Sequence, residues 1–314
     1  MSSQAYLDAA TVKRLSVLQP WRTALALLAD WAVIFAAIAL SQWAQHWAVY
    51  LLAIAVIGGR MHGFGVLLHE FAHYRFIDGR KALSDWLCDL LVAWPILSTT
   101  ASYRQNHLAH HRYTNTDKDP DWVIKLGTRK FTFPQSWQHA VLDLLSYLVV
   151  VGSIIDIFSI MSRLTAGPKP PLSYRLARLG YYLCFAALFT LLGIWREALL
   201  YWFVPYFTVF FLLMHVRSVA EHFGSMDYAD ELGGTRSVLP YFWERAFFAP
   251  HNVNYHLEHH LYPSVPFYNL PQLHAALMAN PVYAGRAHNT RGYTTGLVRE
   301  TIFGTQSLPA VPSA

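Results

Sequence analysis

Six histidines in this chain repeat one pattern. "HLAHH" places His107, His110 and His111, and "HLEHH" places His256, His259 and His260, at positions i, i+3 and i+4. On a helix these share a face, so each run can aim three imidazole nitrogens at one point. A third cluster, "HEFAH", supplies His69 and His73, one helical turn apart. Read alone, that stretch fits H-E-x-x-H, in which two imidazoles hold a zinc and Glu70 activates water for peptide hydrolysis. Read with the other two, it is one of three ligand clusters. Eight neutral imidazoles exceed the three protein ligands that one catalytic zinc uses. A pair of metal ions is the count these residues require. Imidazole suits iron, copper and zinc alike, but open coordination positions on an apolar scaffold favour oxygen-activating iron.

The elements that must carry these clusters are apolar. Of 314 residues 54% are hydrophobic and only 14% charged, which excludes an ordinary water-soluble globule and predicts an integral membrane protein. Two cysteines, Cys88 and Cys184, far apart in apolar runs, exclude a disulfide framework or a cysteine-ligated cluster. The net charge of +5 matches the Lys/Arg excess of cytoplasmic loops, so no nucleic-acid partner is expected. No removable signal peptide is visible ahead of the first apolar run.

Residues 24–43 and 48–68 are long enough to span a bilayer and form a hairpin. Lys13, Arg14 and Arg22 precede it and Arg75, Arg80 and Lys81 follow it, which puts both ends, and HEFAH, on the cytoplasmic side. Residues 179–195 and 198–216 form a second hairpin, kinked at Pro205. Residues 86–97 are too short to cross and contain Pro95, so they read as a buried or re-entrant piece. Residues 141–160 carry Asp143, Ser146, Ser153 and Asp156 at mixed depths before a basic loop at 163–178, and read as an interfacial helix. The expected fold is all-α: one membrane domain over 1–314, ending in the linker-like "SLPAVPSA", with four transmembrane helices, one interfacial helix and a cytoplasmic histidine-rich cap. This count puts all eight histidines on one membrane face.

The three boxes HEFAH, HLAHH and HLEHH, in this order around two helical hairpins, resemble the membrane fatty acid desaturase superfamily from about Arg60 to His274. The resemblance implies a non-haem di-iron enzyme that uses dioxygen and two electrons on unactivated C–H bonds. It implies that His69, His73, His107, His110, His111, His256, His259 and His260 ligate two Fe ions. Relatives often carry a further histidine between the fourth span and the last box; His222 in "RSVAEHFG" takes that place as a ninth ligand. The H-x-x-x-H first box is like that of acyl-lipid desaturases and carotenoid-modifying relatives. No H-P-G-G stretch and no G-x-G-x-x-G after a strand are present, so no built-in haem, flavin or NAD site is expected. Electrons would come from a separate ferredoxin- or cytochrome-type protein.

The expected activity is an O2-dependent desaturase that places a double bond in a fatty acyl chain or similar lipid, in a multi-pass membrane setting such as a bacterial inner membrane. A hydroxylase or ketolase on a lipid, carotenoid or small metabolite is the neighbouring reading, and an intramembrane zinc protease a remote one. Glu70, Glu258, Asp117, Asp119 and Asp121 are placed to accept the second N–H of ligand imidazoles, or, for the Asp run, to form a solvated turn at Pro120. Arg60, inside the second span, is expected to pair with Asp30. His46, His139, His215, His251, His274 and His288 lack ligand spacing and read as structural or surface residues.

Overall fold

The computed structural model describes residues 6–164 and 170–304. The "SLPAVPSA" tail and the middle of the 163–178 loop lie outside the described residues. Helix α1 (Ala9–Leu15), capped by the Asp8 carboxylate, leads into α2 (Pro20–Ala44) and α3 (Trp47–Ala72). These two pair as an antiparallel hairpin. The turn between them uses Gln45 in the left-handed conformation, and His46 Nδ1 accepts from Ala48 N–H to cap α3. The outer face of α2 stays bare, with Leu25, Leu28 and Phe35 more than half exposed. Helix α3 is the central post, and nearly every side chain from Ile57 to Ala72 is buried.

The close packing of α3 depends on small residues. A Cβ at Gly58 would lie 2.6 Å from Val209 Cγ1, and one at Gly63 would lie 2.8 Å from Asp30 Oδ2. Asp30, 1% exposed, receives Arg60 Nη1 at 3.0 Å and His251 Nε2 at 2.7 Å, so the expected Arg60 pairing is present with His251 as an added partner. The cluster ties both helices to the loop ahead of the third box.

Helix α4 (Lys81–Cys88) runs into a π turn at Asp89–Ala93 and a tight bend, which keeps residues 86–97 short and largely buried. The loosened backbone frees carbonyls that Tyr hydroxyls satisfy: Tyr181 donates to Leu90 O and Tyr182 to Trp94 O. Helix α5 (Thr100–Tyr113) follows, then α6 (Pro120–Val123). Where one interfacial helix is expected over 141–160, the structure has two, α7 (Trp137–Leu148) and α8 (Val151–Leu164), with a bend of 84° between Trp137–Leu148 and Val151–Met161. Val150, at φ 69°, breaks the helix, and Gly152 lets α8 fold against Tyr147, since a Cβ there would meet its ring at 2.9 Å.

Helix α9 (Leu172–Leu192) begins earlier than the expected 179–195 because its first turns carry Arg175 and Arg178, which a hydropathy window discounts. The helical run Trp195–His222 contains two π turns, at Leu199–Phe203 and Tyr206–Phe210, around Pro205, whose ring and missing N–H forbid a regular ladder. Among the described residues four helices are long and apolar enough to cross a membrane: α2, α3, α9 and Trp195–His222. The C-terminal third adds β1 (Ser237–Leu239) paired in parallel with β2 (Asn289–Arg291), and short helices including His256–Leu261 and Leu270–Met278.

Candidate metal centre

The last turn of α3 carries His69, with His73 as its cap. Helix α5 is docked against that end by Arg104, whose guanidinium donates to Phe71 O at 2.9 Å and Ala72 O at 3.1 Å while pairing with Asp85. One side chain therefore satisfies helix-terminal carbonyls and sets the position of the second box. The third box sits on a helix of six residues, too short to hold itself. Tertiary bonds hold it instead. Glu258, fully buried, accepts Tyr283 Oη at 2.9 Å and also His274 Nδ1 and Ser237 Oγ. Glu70 plays the same part in the first box, accepting Phe267 N–H at 3.0 Å. The box glutamates thus brace the site against the 237–283 region; Glu70 Oε1 also lies 3.8 Å from His69 Nδ1, beyond hydrogen-bond reach, while the imidazole that Glu258 meets is that of His274, outside the boxes.

The boxes converge. His69, His73, His107, His111 and His259 each offer a nitrogen within 4.8 Å of the others, and His110, His222, His256 and His260 form a second such group. All nine sequence-predicted histidines are brought together, and no carboxylate enters either group. His222 joins from the end of Trp195–His222, with Nε2 2.8 Å from His256 Nε2. The groups adjoin, since the His111 and His260 rings stack at 4.2 Å between centroids. Facing nitrogens lie 2.8 Å apart for His73 and His107 and 3.0 Å for His259 and His111. Lone pairs on neutral imidazoles repel at such spacing unless a proton or cation lies between them.

Buried atoms without partners sharpen the fit. Both nitrogens of His69 are solvent-free and have no hydrogen bond, which is costly for polar atoms unless a ligand satisfies them. Burial pushes the imidazoles of His107, His256, His259 and His260 well below their ordinary range, and those of His73 and His111 down to about 4 and about 2. Neutral imidazole is the ligand form. Five and four neutral nitrogen donors, in two adjacent buried groups, fit a pair of borderline transition-metal ions.

The carboxylates lie one bond further out, behind the four-donor group. Asp119 receives His110 Nδ1 at 2.9 Å; with its other oxygen it caps α6 through Asp121 N–H and Trp122 N–H. Burial alone would raise its pKa, but the hydrogen bonds from His110 and the backbone hold it below the ordinary carboxylate value. Of the three aspartates, Asp119 meets a ligand imidazole, whereas Asp121 accepts from Asn106 instead. Glu221, paired with Arg217, lies 3.4 Å from His256 Nδ1. Sequence reasoning missed Glu221, although its place beside His222 in "AEHFG" is the available signal. His251, His274 and His288 stand outside both groups, bonded to Asp30, Glu258 and Glu300.

The fatty acid desaturase family profile matches residues 45–292. This chain belongs to the fatty acid desaturase family. It is 30% identical to a dihydrorhizobitoxine desaturase of Bradyrhizobium elkanii over 87% of this chain and 80% of that protein. It is 26% identical to a sphingolipid delta(4)-desaturase of Drosophila melanogaster over 72% of this chain and 66% of that one. Against an sn-1 oleoyl-lipid 12-desaturase of a Picosynechococcus strain it is 24% identical over 86% and 80%. The desaturase is accordingly an oxidoreductase; its long apolar helices suit membrane association, and its two histidine groups could each hold a metal ion.

Proposed function

We propose that the chain is a multi-pass membrane di-iron desaturase that places a double bond in a fatty acyl chain or similar lipid, with the nine histidines as iron ligands. The observation that carries this reading is the division of nine buried imidazoles into adjacent groups of five and four. A single zinc bound at HEFAH would leave most of them without a role. Two irons, when bound, would supply the oxidant: with dioxygen, two electrons from a separate ferredoxin- or cytochrome-type donor and two protons, two hydrogens leave neighbouring carbons and two water molecules form.

The protein's own residues hold, orient and keep dry. Asp119 and Glu221 fix ring orientation in the four-donor group and place negative charge behind otherwise neutral donors. A cavity of water-molecule size, lined by Val66, Val253, Phe267 and Leu270, abuts His69, His256 and His259 and so touches both groups. An inert methylene pressed there by displacement of Phe267 or Leu270 meets a water-poor wall, which protects a strong oxidant from side reactions. Lipid is the favoured substrate because the named activities of two of the three relatives are on lipids.

Topology supports the same reading. The second and third boxes meet, so an even number of crossings separates them; α9 and Trp195–His222 supply two, and the α7–α8 pair, bent by 84°, returns to its own side. Basic residues flanking α2 and α3 support a cytoplasmic location for the histidines, as in a bacterial inner membrane. The test is mass spectrometry of lipids from the iron-loaded protein supplied with an electron donor and dioxygen. Loss of two hydrogens is the expected product; gain of one oxygen would move the chain to the hydroxylases, and an unmodified lipid pool would end the lipid assignment.

A further inference from the structure

A second site lies on the far side of the turn that closes the metal centre. Phe267 and Leu270 of that turn face the small cavity beside His69, while Asn269 helps line a separate surface cleft of about 330 Å³ with Arg14, Gln19, Arg22 and Gln272. The cleft holds two guanidinium groups and no carboxylate. Among the described residues neither Arg14 nor Arg22 has an ion-pair partner; Arg22 instead lies over the Trp21 and Tyr268 rings. Asn269 is locked in place by donating to Leu15 O at 2.7 Å, and Tyr268 Oη accepts the Gln19 N–H at 2.6 Å.

Independently, the cleft contains the start of α2, a helix of 25 residues. Gln19 makes no side-chain capping bond there, and the first turn has no acidic residue. The Gln19 N–H is taken by Tyr268 Oη and Pro20 has none, so what the helix adds is the positive end of its dipole, placed where the arginines gather, an arrangement suited to an anion. Planar guanidinium forks fit phosphate oxygens in particular. Just past the cleft the surface turns apolar, with Trp21, Leu25 and Leu28 about 60% exposed on α2. Charge above and bare hydrocarbon below match an amphiphile carrying a phosphate ester.

We propose that the cleft of Arg14, Gln19, Arg22, Asn269 and Gln272 binds the phosphate of an anionic phospholipid whose acyl chains lie along the outer face of α2. The inference rests on the membrane reading of the apolar helices and is independent of the identity of the metal. A lipid seated there braces the 267–270 turn, whose Phe267 N–H is bonded to Glu70 of the first box.

Native mass spectrometry of the detergent-solubilised full chain, titrated with dioleoyl phosphatidylglycerol or dioleoyl phosphatidylcholine, tests this directly. The phosphatidylglycerol adduct is expected to persist preferentially and to weaken at least about tenfold in the Arg14→Gln/Arg22→Gln double variant. Lys13→Gln, on α1 but off the cleft, should leave it unchanged. Metal content is read in the same samples, so loss of lipid with the metal retained separates this site from the histidine centre. If the double variant does not fold, Gln272→Glu at the exposed rim decides, because a carboxylate there repels the phosphate without touching the core. Equal retention of both lipids, or unchanged phosphatidylglycerol binding in either variant, overturns the proposal. So does displacement of the lipid by inorganic phosphate at matching concentration, which would make the cleft a site for free phosphate only.

Discussion

At the scale of single residues, the four-donor group can be separated from the rest of the centre. His110→Ala removes one of its four nitrogens and leaves Asp119 without its imidazole partner. Metal content should fall by at least half and desaturated product below detection, as read by elemental analysis and lipid mass spectrometry. Asp119→Asn tests orientation separately: Asn still caps α6 well but withdraws the charge behind His110. The fold should survive while metal affinity drops ~10–100-fold, measured by chelator competition. Acid should also weaken the metal-stripped chain. Burial holds the imidazoles of His73 and His111 at about 4 and about 2, against 6.5 for an ordinary histidine. Below 6.5 the unfolded chain therefore takes up protons that the folded chain refuses. Stability present above that pH is lost as pH falls, at up to ~1.4 kcal/mol per pH unit for each such histidine. A melting temperature that stays flat from pH 7.5 to 5.5 would contradict the buried neutral state.

At the scale of elements, α3 is the member that tolerates least change. Gly58→Ala sets a methyl group 2.6 Å from Val209 Cγ1 and 3.2 Å from Phe210 N, so α3 and the Trp195–His222 run must separate. Overpacking of this kind costs about 1–3 kcal/mol, to be seen as a lowered melting temperature with metal still bound. The boxes were legible because ligand spacing is local: i, i+3, i+4 shows a face without any knowledge of the fold. His222 was reachable only through resemblance, having no neighbour at ligand spacing. The bend between α7 and α8 was hidden because Val150 adopts a left-handed conformation that β-branched residues rarely take. Likewise Asp119 could be told from Asp117 and Asp121 only by the turn that aims it at His110. Glu70 and Glu258, expected to accept hydrogen bonds from ligand imidazoles, make theirs to Phe267, Tyr283, Ser237 and the non-ligand His274, since the third-box helix is too short to hold itself.

At the scale of the whole molecule, the apolar pattern indicated helical hairpins, while helix ends followed capping and arginine-bearing first turns that hydropathy ignores. The proposed topology makes a clear demand on labelling. Single cysteines at Asp117 and Asp230 should react with a membrane-impermeant thiol reagent from the same side, and one at Gln45, in the α2–α3 turn, from the opposite side. Reaction of all three from one side would remove the two-hairpin arrangement.

The imidazoles come from four stretches of chain, and the last of them, His256–His260, lies beyond every long apolar helix. A ribosome making this protein has thus inserted all of those helices before the donor set is complete. On the proposed di-iron reading the complete donor set therefore forms only after the last long apolar helix is in place, and cells short of iron should accumulate inserted, empty enzyme rather than unassembled chains.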